Sequence, residues 1–165
     1  MTTHVRRRAA APRTPLKEVL LATVAALAGL LSLAAVAGLT GLALFALPFV
    51  ASAGLVALAP GAPFAQPRSI LLGHISATAV ALALTSMTGP SVWAAAVAAA
   101  LSTAPMLLLR APHPPAAATA AVIGLTAPPP LYLVTPVLVA SVVVIAGGVL
   151  LGRLLPSRRY PLYWR

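Results

Sequence analysis

"RAPHPPAAATAAVIGLTAPPP" (residues 110–130) sets an arginine, a histidine and a proline pair ahead of an apolar stretch too short to cross a bilayer. As an α-helix, residues 116–127 rise only about 18 Å, against a hydrocarbon core of about 30 Å. Proline suits the first turn of a helix, where its missing N–H would go unbonded anyway, and the three prolines at 128–130 stop the helix. The stretch reads as a half-helix. "FVASAGLVALA" (49–59) reads as another, preceded by Pro48 and ended by "PGAPFAQP" with Pro67 as its last residue. Irregular backbone at membrane depth is tolerated only inside protein or beside a water-filled cavity, so two such breaks imply a pathway.

The rest of the chain supplies the membrane. Hydrophobic residues make up 61% of its 165 residues and charged residues 7%, and mean hydropathy is +1.02. A soluble domain of this length must wet a large surface, which this composition cannot do. Between Glu18 and Arg153 the only formal charges are Arg68 and Arg110. Four stretches are long enough to span as helices, about 18–42, 69–88, 91–110 and 131–153. The expected fold is therefore an all-α integral membrane domain over 18–153, with four long transmembrane helices and two half-helices between basic tails at 1–17 and 154–165. The apolar run that follows "HVRRR" is longer than a signal-peptide core and shows no small-residue cleavage site, so it is expected to be an uncleaved first span.

A shift of 67 residues lays Pro48, Ser52, Ala53, Leu55, Val56 and Leu58 on Pro115, Thr119, Ala120, Val122, Ile123 and Leu125. Two repeats are inferred, about 18–88 and 91–153, each a long helix, a half-helix and a long helix. Interrupted segments at matching positions of internal repeats point to a transport site. Two topologies fit. If the half-helices dip and return, four helices span and the repeats are parallel; if they cross, six segments span and the repeats are inverted. Segment length favours four, whereas charge favours six, because all eleven basic residues would then share one side. Length is given the greater weight.

The net charge of +10 is concentrated at the ends, in Arg6, Arg7, Arg8, Arg13 and Lys17 and in Arg153, Arg158, Arg159 and Arg165. Basic clusters flanking apolar helices mark cytoplasmic ends and suit anionic headgroups, so both termini are expected in the cytoplasm of a bacterial-type inner membrane. No aromatic interleaving or fold signature suggests nucleic acid. With no cysteine and a single acidic residue, Glu18, the chain has no carboxylate chain to relay protons or bind cations, and no paired-carboxylate, thiolate or Ser/His/Asp chemistry. His4, His74 and His113 do not have metal-ligand spacing. No enzyme activity, cofactor or metal is expected.

What remains favours anions. His74, Thr78, Ala81, Thr85 and Thr88 fall on one narrow stripe of the helix that opens "RSILLGHISATAVALALT". Arg68 and Arg110 flank the half-helices, whose N-termini carry unbonded N–H groups. An ionisable group within the membrane faces the bundle interior or a cavity, which makes His74 a pathway candidate or a buried structural histidine. Candidate pathway residues are Ser52, Arg68, His74, Arg110, His113 and Thr119, with Pro48, Pro67, Pro114 and Pro115 as structural breaks. Gly148 and Gly152 form a GxxxG and are assigned to helix packing.

"APHPPAAATA" around His113, "SAGLVALAPGAPFAQPRS" and the following "GHISA" together resemble the HPP family of small membrane proteins, named for its His-Pro-Pro motif. The resemblance covers about 18–153. It implies a four-spanning domain, with members implicated in nitrite transport across chloroplast and related membranes, and many bacterial members without an assigned substrate. It singles out Ser52; Gln66, Pro67 and Arg68; Gly73 and His74; and His113, Pro114, Pro115, Ala118 and Thr119. The chain departs from the family where Ala116 and Ala117 replace glycines after HPP, and where Ser69 replaces asparagine. Both departures bear on the substrate more than on the fold, since alanine limits how closely an anion approaches the backbone. The expected function is a transporter or channel for a small inorganic anion, nitrite first, in a homo-oligomer within the lipid bilayer. The alternative is a non-transporting scaffold or lipid-binding subunit with a dry, helix-filled interior.

Overall fold

The computed structural model describes residues 14–155 and 157–164. Arg6, Arg7, Arg8, Arg13, His4 and Arg165 lie outside the described residues. Every regular element among the described residues is helical. Three helical segments are long and apolar enough to cross a membrane, Leu16–Thr40, Pro67–Thr88 and Pro130–Leu154, and three are shorter, Leu47–Leu58, Val92–Leu108 and Pro114–Thr126.

The first long helix, α1 (Leu16–Thr40), ends where Gly41 enters the left-handed region at φ 70° and its N–H closes back on the Ala37 carbonyl. The half-helices follow their prolines: Pro48 is the second residue of α2 (Leu47–Leu58) and Pro115 the second of α6 (Pro114–Thr126). Between α2 and α3 (Pro67–Thr88) runs a short coil that includes a 3₁₀ turn, Pro63–Ala65.

The four long helices of the sequence reading reduce to three. The expected span at 91–110 is broken at Ser102 into α4 (Val92–Leu101) and α5 (Thr103–Leu108). Pro105 explains the break, because it has no N–H for the Leu101 carbonyl one turn back and its ring crowds that turn. The last span also starts irregularly. Residues 130–138 form a 3₁₀ turn and a π-turn with Thr135 extended at φ −128° and ψ 113°, as a residue before proline is driven to be, and α7 proper is Val139–Leu154.

Successive segments alternate in direction. The start of α1 and the ends of α2 and α7 meet at one end of the bundle, where Ala25, Ala57 and Leu151 line one small cavity. From that end α3 runs away, since the Gln66 side chain just before it accepts from the Leu162 N–H. The α4–α5 segment runs back, placing the Leu109 carbonyl against Arg68, and α6 runs away again until the Gly124 carbonyl accepts from the Ser91 N–H. Helices α1 and α3 are thus parallel. This is the arrangement that charge favoured, and a dip-and-return by α2 would make them antiparallel. The described basic residues gather at the shared end.

Two apolar cores hold the bundle. One joins Leu33, Leu44, Phe49, Val56, Ile70, Val137 and Val144, linking α1, α2, α3 and α7. The other joins Ala77, Ala81, Ala98, Met106, Ala116, Ala120 and Ile123, linking α3 to α6. The second is built largely of alanine, and it closes tightly because Gly124 lies on the α4 backbone at Ala95, where a Cβ would collide. The outside of α1 is the reverse, with Leu16, Leu20, Val24, Leu27 and Leu31 all exposed, a surface suited to lipid or a second copy.

Gly148 packs closely against Val56 of α2, and both Gly148 and Gly152 also lie against the chain that follows α7. A Cβ on Gly148 would stand 2.6 Å from the Tyr160 ring, and one on Gly152 would strike the Tyr160 carbonyl. The chain after α7 folds back over these glycines. Tyr160 is buried, the Arg158 guanidinium donates to the Ala57 carbonyl, and burial pushes the Tyr160 phenol above its ordinary pKa.

Candidate functional site

Where α2, α3 and α6 meet, four polar side chains bond to one another in an otherwise apolar interior. Ser52 Oγ lies 3.0 Å from His74 Nε2 and 2.9 Å from His113 Nε2. His74 Nδ1 lies 3.0 Å from Thr119 Oγ1, and His113 Nδ1 donates to the Phe64 carbonyl at 2.8 Å. Ser52, His74, His113 and Thr119 are each no more than 1% exposed. All four imidazole nitrogens are therefore partnered, as burial requires of polar groups.

Each side chain reaches the cluster for a local reason. Ser52 and Thr119 each lie four residues after the proline at the second position of a half-helix, one turn in, and both fall on the buried face. His74 lies near the start of α3, with Phe49 of α2 tilted against its ring at a centroid separation of 5.3 Å. His113 is the residue just before α6, held extended at φ −145° by the proline that follows. Its ring meets that of His74 edge-on at 4.8 Å. Gly73 makes this approach possible, because a Cβ there would stand 2.6 Å from the His113 Cβ. The coil before α3 is tied in place by side chains of the "QPRS" segment. Gln66 Nε2 donates to the Pro60 and Ala62 carbonyls and Ser69 Oγ to the Pro63 carbonyl, which fixes the Phe64 carbonyl opposite His113.

The stripe on α3 continues beyond His74. Thr78, Ala81 and Thr85 are buried and Thr88 is exposed. Thr85 Oγ1 donates to the Ala81 carbonyl one turn back, whereas Thr78 Oγ1, one turn after His74, is buried without a partner.

The arginines lie apart from this cluster. Arg68 Nη2 donates to the Leu109 carbonyl at 2.9 Å, and Arg110, exposed and at φ 51°, follows that residue. Together they make a basic surface point at the shared end of the bundle. A second basic point is a cleft of about 880 Å³ between the start of α1, the end of α2 and residues 157–159, lined by Lys17, Arg158 and Arg159 together with Glu18. Neither this cleft nor the smaller cavity under Tyr160 is lined by Arg68, His74, Arg110 or His113.

One expectation about α6 is corrected. Its N-terminus does not present a row of free donors to an anion: Pro114 and Pro115 have no N–H, and the Ala116 N–H donates to the His113 carbonyl. The prolines that start the helix consume the donors that would have served a ligand. Side chains, not the helix end, are what this site offers.

Phe64 was not foreseen, and as a backbone carbonyl it has no signature in sequence. Helical spacing did single out Thr78, though not its lack of a partner.

An all-helical bundle with long apolar segments and a polar centre defines an integral membrane protein. The chain matches the family described as HPP, transmembrane region, over residues 11–161, and it belongs to that family. No curated protein and no solved structure matches it.

Proposed function

We propose that this protein moves a small inorganic anion across a membrane, with nitrite the first candidate, and that Ser52, His74, His113 and Thr119 form the station the anion passes. One observation carries the reading: four polar side chains from three helical segments converge in the bilayer-depth interior. Ionisable groups there are costly and mark pathways. Thr78 Oγ1, buried and unpartnered beside the cluster, supports the reading as a polar atom left over for a guest. Arg68 and Arg110 form the electropositive approach at the end where the basic residues gather, which is the cytoplasmic end by the positive-inside rule. The protein carries out no covalent chemistry and needs no cofactor, and the membrane is a bacterial-type inner membrane.

The pathway is built from two inverted repeats. In support, Pro48 and Pro115 hold the same position in α2 and α6, Ser52 and Thr119 join the same cluster, and the two halves run in opposite directions. The exposed apolar face of α1 supports assembly into a homo-oligomer.

A second reading has its own support. The histidines are closed off and bonded at every ring nitrogen, which is what a non-transporting scaffold with a dry interior would show. Flux decides between them. Purified protein in liposomes should admit nitrite faster than protein-free liposomes, and Arg110→Ala with His113→Ala should abolish the difference. Nitrite entry no faster than in protein-free liposomes, with correctly folded protein, would leave the scaffold reading standing.

A further inference from the structure

From the hydrogen-bond directions in the Ser52 cluster we infer a binding site for one proton, on Nε2 of His113, with the Ser52 hydroxyl as the group that turns to admit it. The starting point is Phe64. Its carbonyl only accepts, so His113 Nδ1 must carry a hydrogen. A neutral His113 then has a lone pair on Nε2, and Ser52 must donate to it across 2.9 Å. Having donated, Ser52 Oγ accepts from His74, so His74 carries its hydrogen on Nε2 and its Nδ1 accepts from the Thr119 hydroxyl. The neutral cluster has a single consistent direction: Thr119 to His74 to Ser52 to His113 to Phe64.

Ser52 Oγ has one further neighbour, the Pro48 carbonyl at 2.9 Å, one turn back in α2. In the neutral cluster the hydroxyl hydrogen is directed at His113 and not at Pro48. If a proton adds to the lone pair of His113 Nε2, the hydroxyl turns to Pro48. Ser52 Oγ then accepts from both imidazoles with its two lone pairs, and no hydrogen bond is lost. The same is not open to His74, because a proton on its Nδ1 would turn Thr119 into the acceptor and leave the Thr119 hydrogen without one of the partners the cluster supplies. The cluster thus takes up one proton at one place, and the acceptor it needs is already built in.

The surroundings add little charge to oppose or assist this. Among the described residues, α2, α4, α6 and the Pro63–Ala65 turn carry no titratable side chain. Helix α3 contributes His74 and Arg68, the latter engaged with the Leu109 carbonyl; Arg110 precedes α6 with its side chain exposed, and Tyr132 packs against the α3–α6 core. Protonation would convert a neutral cluster into a cation within the proposed anion station. Resting on the transport reading, proton and anion would then occupy the site together, with no net charge moved.

Histidine labelled with ¹⁵N in the full-length protein in lipid bilayers tests the proton site without reference to flux. Near neutral pH the NMR spectrum of protein carrying His4→Gln, which leaves only these two histidines, should show two opposite neutral tautomers, Nδ1–H for His113 and Nε2–H for His74, with a further His74→Gln removing one set to assign them. Acidification should convert His113 and not His74 to imidazolium, the His74 tautomer persisting. Ser52→Ala removes the acceptor for the added proton, and the conversion should move to lower pH by about one unit. The same tautomer at His74 and His113, conversion of His74 before His113, or no conversion of His113 down to the pH at which the fold is lost would overturn the proton site. Such a result would leave nitrite flux, measured separately, free to stand or fall.

Discussion

The two half-helices look alike in sequence and do different work. Both begin with proline at the second position, and each delivers one hydroxyl to the cluster one turn later. Helix α2 buries Phe49 and Val56, and its Gly54 has open space around it; α6 buries mostly small residues and its Gly124 touches the α4 backbone. So α6 is fixed by backbone contact with α4, whereas α2 packs through side chains. The rigid half holds His113 at its start. The half that packs through side chains carries Ser52, the one hydroxyl placed to turn between two acceptors.

That contrast is open to direct challenge at the glycines. Gly124→Ala should destabilise the protein by about 1–3 kcal/mol or disrupt its assembly, since the new methyl meets backbone that cannot give way. Gly54→Ala should leave stability unchanged or raise it by up to about 1 kcal/mol, because open space and better helix propensity act together. Thermal unfolding in detergent compares the two, and equal effects would erase the distinction between the half-helices. Gly73→Ala sharpens the comparison from the α3 side. It pushes on the His113 Cβ, should cost about 1–3 kcal/mol, and should reduce flux even in the folded fraction.

The hydroxyls are expected to be unequal as well. Ser52→Ala leaves two imidazole nitrogens without a partner and should cost more than Thr119→Val, which orphans one at about 1–3 kcal/mol. Chemical denaturation of the two variants side by side checks the order, and a larger effect at Thr119 would misplace the centre of the cluster. Smallest of all should be Tyr160→Phe. The Tyr160 hydroxyl is buried without a partner, so its removal should be neutral or slightly stabilising in the same assay.

Much of this was legible in the sequence. Proline positions placed both half-helices to within two residues of their observed bounds, and the 67-residue shift paired Ser52 with Thr119, which turn out to share a cluster. Proline signals local backbone geometry, and that is what sequence conveys best. The break at Ser102 is not legible in length and composition, because the apolar run at 91–110 is long enough to span despite Pro105. The alternating direction of the segments is legible too, in the charges, although segment length points the other way. What lay beyond reach was tertiary: the meeting of His74 with His113 across α3 and α6, the Phe64 carbonyl, and the return of Tyr160 onto Gly148 and Gly152. In a chain this rich in alanine and leucine, helix faces differ too little for periodicity to say which ones meet.

The most direct test of the account is nitrite flux through Ser52→Ala in liposomes, set against wild type and Gly54→Ala, with folding of all three verified by their unfolding transitions. The account predicts wild-type flux for Gly54→Ala and at least a tenfold loss for Ser52→Ala. Wild-type flux through folded Ser52→Ala would contradict it, since the anion would then pass without the cluster that α2 and α6 build together.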